Sequence, residues 1–133
     1  NACGKQSLVL DNSQSRLSNT QIIQGHKSCD VATVTIEYLL QKYSITNVDL
    51  LIIDIEGAEL LALQSFAWAS CKIENVYCEL HPYAWHDYGY NAQDFVTFVK
   101  QNKIRVFDMY LHEYTTFDKL SYIGPTIFIK KYD

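Results

Sequence analysis

Val48-Asp49-Leu50-Leu51-Ile52-Ile53-Asp54-Ile55-Glu56-Gly57-Ala58-Glu59 carries the strongest structural signal in the chain. Five of the seven residues 48–54 are aliphatic and they do not alternate with polar ones. Such a run predicts a strand buried on both faces, the central strand of a parallel sheet covered by helices. Gly57 permits a tight turn after it. Leu60, Leu61, Leu63 and Phe66 then form the apolar stripe of a helix.

The same grammar continues downstream. Residues 75–80 read as a second strand, followed by an aromatic loop over 81–90. Asn91 caps a further helix, with Asp94 at its third position and Phe95, Phe98 and Val99 facing inward. Residues 105–110 and 126–130 complete the strands. Upstream, Thr35 is the N-cap of a helix whose inward face is Ile36, Leu39, Leu40 and Tyr43, and the β-branched piece 31–35 precedes it. Residues 1–30 are a polar, turn-rich opening segment, in which 6–10 is expected to pair with 20–24 across a loop over 11–19. Strands alternating with helices indicate an α/β layer fold.

The 133 residues suit a single domain. Eleven Lys and Arg against fifteen Asp and Glu give a net charge of −4, which argues against a nucleic-acid or anionic-membrane partner. No apolar run reaches the ~20 residues of a membrane span, and no signal-peptide layout opens the chain, so a cytoplasmic protein is expected. Cys3, Cys29, Cys71 and Cys78 form no CxxC pair and are expected to be reduced thiols, with Cys78 a small buried hydrophobe.

Open α/β sheets bind ligands beyond the carboxyl ends of their strands. Asp54, Glu56 and Glu59 follow the first strand, and Glu79 and His81 follow the next. Asp54 and Glu56 have a plain alternative as caps and turn formers, and Glu59 reads as an acid in a helix's first turn, complementing the dipole. Glu79 and His81, two apart, share one side of a strand and face Asp54 and Glu56 across one cleft. A carboxylate beside an imidazole makes a general-base unit, and the same cluster offers oxygen and nitrogen ligands to a divalent metal. Tyr83, Trp85 and His86 belong to a loop that reads as a substrate-side lid, with a packed cover or a subunit contact as alternatives. Asp108, His112 and Glu113 read as polar surface. No HExxH, nucleophile elbow, phosphate loop or GxGxxG occurs.

The Asp54-x-Glu56-Gly57-x-Glu59 core, with Leu60, Leu63 and Phe66 beyond it, resembles the signature of FkbM-type methyltransferases. Asn1-Ala2-Cys3-Gly4, the segment 34–40 and Glu79-Leu80-His81-Pro82 resemble further motifs of that family. Ile52 stands where the family usually carries Lys. The family's glycine-rich cofactor loop has no counterpart, so the resemblance implies the C-terminal half of a Rossmann-like methyltransferase sheet, mostly parallel with an antiparallel last strand. It also implies that residues 1–133 are a partial domain, weak or inactive alone.

The cofactor implied is S-adenosylmethionine, and the reaction O-methylation of a small molecule or sugar. Asp54 and Glu56 would lie at the acceptor edge of the cofactor cleft. His81 would be the base and Glu79 would orient it, with Glu56, Tyr83, Trp85 and His86 against the acceptor. Two other classes compete with this reading. One is a non-catalytic assembly module that pairs its sheet edge with a second copy. The other is a metal-dependent hydrolase built on Asp54, Glu56, Glu79 and His81.

Overall fold

A computed structural model of the chain describes residues 3–10, 15–18, 27–68, 73–117 and 126–129. Its elements run β1 (Cys3–Leu10), β2 (Ser15–Ser18), β3 (Lys27–Val34), α1 (Ile36–Lys42), β4 (Leu51–Ile53), α2 (Glu59–Leu63), β5 (Asn75–Cys78), a 3-10 helix (Pro82–Tyr88), α3 (Ala92–Gln101), β6 (Arg105–Phe107) and β7 (Thr126–Ile129). Two sheets result, one ordered β2-β1-β3 and one ordered β4-β5-β7-β6. In the second, β4 and β5 are parallel, while β7 is antiparallel to both β5 and β6. Three strands therefore run one way and the last runs against them, inserted between its neighbours. The chain is α/β, as its alternating pattern predicts.

The register explains the core. Leu51, Val76, Phe128 and Val106 are direct partners across the four strands, so they share one face. Ile53 and Cys78 form the next row on that face with Thr126. Leu60, Leu63, Phe66, Phe95, Phe98 and Val99 cover it from the helices. Asn91 accepts bonds from the Gln93 and Asp94 amides while Asp94 answers at the Asn91 amide, closing the capping box expected at the start of α3. Thr35 likewise caps α1 by accepting from the Tyr38 amide. The Ile36 and Glu37 amides donate to the hydroxyl and carbonyl oxygens of Ser65, tying α1 to the chain just after α2.

Three expectations are corrected. β4 is an edge strand among the described residues, and Ile52, at 65% exposure, lies on a face without cover. An unbroken aliphatic run predicts burial on both sides, yet only the face of Ile53 is packed. The opening segment does hold a strand over 6–10, but it is longer than expected and pairs differently: β1 pairs with β3 along eight residue pairs from Cys3↔Val34 to Leu10↔Lys27. Residues 7–10 of β1 pair with Ser15–Ser18, within the stretch 11–19 expected as a loop, and residues 20–24 lie outside the described residues. The β6 strand stops at Phe107 because Asp108 bends the chain, its Oδ1 accepting from the Tyr110 and His112 amides. Among the described residues, no helix is long and apolar enough to cross a membrane.

Candidate active site

The chain leaves β4 through a turn with both central residues in the left-handed region, Glu56 at φ 52° and Gly57 at φ 109°. The Ala58 amide closes it by donating to the Ile55 carbonyl at 3.4 Å. Glycine is required at 57 on two counts. A side chain there would be strained by φ, and a Cβ would stand 2.6 Å from the Cβ of Ala84. Tyr90 clamps the same turn, its hydroxyl donating to the Gly57 carbonyl and accepting from the Leu60 amide. Burial pushes the Tyr90 hydroxyl well above its ordinary pKa, so it remains a donor.

Glu59 is fully buried and holds the site together. Its Oε1 accepts from the Gly57 amide at 2.7 Å and meets His81 Nδ1 at 2.9 Å. Its Oε2 accepts from Trp85 Nε1 at 3.0 Å. A fully buried carboxylate is costly unless each oxygen is answered, and here three donors converge on it. Complementing the helix dipole, the role its place in the sequence suggests, is too small for a group in this position. The expectation that Glu79 orients His81 is corrected likewise: Glu59 holds Nδ1, and Glu79 stands 3.8 Å from Nε2.

In the neutral ring, with Nδ1–H donating to Glu59, Nε2 of His81 presents its lone pair outward. Asp54 and Glu56 each lie 3.9 Å from it. The carboxyl ends of β4 and β5 thus bring Asp54, Glu56, Glu79 and His81 to one mouth, as their positions in the sequence suggested. Burial lowers the His81 pKa, but the Glu59 hydrogen bond and the charges of Glu59, Glu56 and Glu79 outweigh it and raise the ring above its ordinary value.

The aromatic segment divides. Tyr83 is half exposed, donates its hydroxyl to Glu56 Oε2 at 2.7 Å, and sets its ring edge-on to His81 at 5.8 Å. Trp85 is 1% exposed and stacks on Phe95 at 5.5 Å, so the expected contact between Trp85 and substrate is corrected to a core role. His86 turns to solvent, with Nε2 2.8 Å from Asp87. The 3-10 helix packs as a cover, with Ala84 and Trp85 buried beneath it. A cavity of about 430 Å³ lies elsewhere, bounded by Val99, Ile104, Val106 and Phe117, and includes none of these site residues.

The family model described as the methyltransferase FkbM domain matches residues 2–115. The chain belongs to the FkbM methyltransferase family. Comparison with curated proteins and with solved structures gave no match. The FkbM match spans the first sheet, strands β4, β5 and β6 of the second, the turn at Glu56-Gly57, the Glu59 hub and the His81 mouth, and stops before β7. Sequence reasoning missed Glu59 as the orienting carboxylate and Tyr90 as the clamp. Glu59 stands in the quoted motif, but its partners His81 and Trp85 lie 22 and 26 residues away, and Tyr90 reaches Leu60 and Gly57 across 30 and 33, so neither role shows locally.

Proposed function

We propose that this FkbM domain takes part in S-adenosylmethionine-dependent O-methylation of a small molecule or sugar, with the mouth around His81 receiving the acceptor hydroxyl. The observation that supports this reading most is the setting of a buried imidazole, its Nδ1 held by Glu59 and its Nε2 placed among three carboxylates. The donor set suits the cofactor, since a sulfonium cation is favoured beside Asp54 and Glu56. S-adenosylmethionine supplies an activated methyl group when bound. What remains for the protein is to align the acceptor and accept its proton.

In this reading the acceptor O–H faces Nε2 of His81, which takes its proton, and the bound cofactor would supply the methyl group, its carbon–sulfur bond breaking with the electron pair left on sulfur. Glu59 stabilises the imidazolium that results, and Asp54, Glu56 and Glu79 add to that stabilisation. Tyr83 holds Glu56 in place, leaving the exposed ring of Tyr83 and the other carboxylate oxygen of Glu56 to meet the acceptor. Titration calorimetry with S-adenosylmethionine, without added metal, tests the cofactor part. Saturable binding weakened by Asp54→Asn is expected, and affinity unchanged by that substitution would overturn it.

A second reading has one observation in its favour. β4 is an edge strand among the described residues, where another copy of the chain can add a strand, and Leu50 and Ile52 beside that edge are exposed. Light scattering on the purified chain tests this directly: a dimer dispersed by Ile52→Lys supports it, and a monomer removes it.

A further inference from the structure

We propose that Asp54, Glu56 and Nε2 of His81 form a binding site for a divalent first-row cation, Mn²⁺ or Zn²⁺. One ligand atom from each of the three lies within 4.8 Å of the others. Acidic clusters alone are common on surfaces. The distinguishing feature here is His81, 8% exposed, whose Nε2 has no hydrogen-bond partner among the described residues and points at Asp54 and Glu56. Its other nitrogen is fixed by buried Glu59 at 2.9 Å. A histidine that ligates a metal characteristically passes its second N–H to a carboxylate, which sets the tautomer and raises ligand basicity. That arrangement is already built. Glu56 is also steadied from behind by the Tyr83 hydroxyl.

The spacing is that of an open site. Ligands about 2.0–2.2 Å from an ion stand at most about 4.4 Å apart, so closure needs only a small inward rotation. Asp54, with a side chain 56% exposed, is free to make it. Two carboxylate oxygens and an imidazole nitrogen suit a borderline cation and leave coordination positions open. Binding itself is independent of the methyl-transfer reading, but its role there rests on that reading. With a cation on Nε2, His81 becomes a ligand rather than a base. An acceptor oxygen bound at an open position is made acidic, and its proton passes to Glu79 and on to solvent. The oxygen then bonds to the methyl carbon as the carbon–sulfur bond breaks, the electron pair staying on sulfur.

Titration of the chain with Mn²⁺, followed by calorimetry and electron paramagnetic resonance, tests the site. One ion per chain is expected, with nitrogen hyperfine coupling from an imidazole. Asp54→Asn and Glu56→Gln should each weaken binding by about tenfold or more, with metal-free melting unchanged because both groups are partly exposed. His81→Asn risks the fold, so those two variants decide the matter. No saturable binding at millimolar Mn²⁺, or binding indifferent to both substitutions, overturns the site. Mn²⁺ binding without any methyl transfer leaves the site standing and removes the methylation reading. S-adenosylmethionine binding without Mn²⁺ binding does the reverse.

Discussion

Removing the carboxylate of Glu59 should separate what holds the site together from what it does. In Glu59→Ala the Gly57 amide, Trp85 Nε1 and His81 Nδ1 lose their acceptor. A buried donor left unanswered costs about 1–3 kcal/mol. The imidazole has an escape, because its proton can move to Nε2 and meet the three carboxylates there. Gly57 and Trp85 have none, so the expected loss is about 2–6 kcal/mol, a large share of a typical 5–15 kcal/mol stability. Glu59→Gln is gentler. Its amide oxygen can still serve Gly57 and His81, but its NH₂ then opposes the Trp85 N–H, at about 1–3 kcal/mol. Urea unfolding measures the stability, and nitrogen NMR of His81 reads the tautomer. The alanine variant should show the proton on Nε2 and, with that lone pair gone, no methyl transfer. Wild-type stability in both variants, or an unchanged tautomer in the alanine variant, would refute the reasoning.

Gly57→Ala combines left-handed strain with the 2.6 Å approach to Ala84 and should cost at least about 2 kcal/mol in urea unfolding. Trp85→Phe keeps the ring against Phe95 but loses the bond to Glu59, so stability should fall by about 1–2 kcal/mol. Acceptor KM should stay constant, whereas a raised KM would return Trp85 to the acceptor side. Burial, with the negative charges of Glu59, Asp54 and Glu79, drives the Cys78 thiol far above its ordinary pKa. Alkylation of Cys78 in the folded chain, followed by mass spectrometry, should therefore be absent at mildly alkaline pH and complete in urea.

The parts of this molecule legible in the sequence are those governed by neighbours along the chain. Thr35 and Asn91 announce helix starts because caps are local, and the turn at Gly57 is legible because only glycine meets its backbone demand. The gathering of Asp54, Glu56, Glu79 and His81 follows from strand ends alone. Ile52 misled because aliphatic content does not say which side of a strand is covered, and that depends on which element lies beside it. Strand character at 6–10 and 31–35 was legible, but their pairing into the β1–β3 ladder was not, because a strand's partner is set across the chain and leaves no local mark. Glu59 was hidden for a similar reason. A glutamate in a helix's first turn looks the same whether it faces water or three buried donors, and only packing of the 3-10 helix over it decides.

The most direct test of the account follows a labelled methyl group. Native protein is incubated with methyl-labelled S-adenosylmethionine and a panel of hydroxylated small molecules and sugars, beside a His81→Asn variant whose folding is checked by its melting curve. Label recovered as an O-methyl ether from the native protein is expected, with turnover in the folded variant down by about a hundredfold or more. Label on nitrogen or carbon, no O-methyl product from any acceptor, or turnover in the variant near the native rate would contradict it.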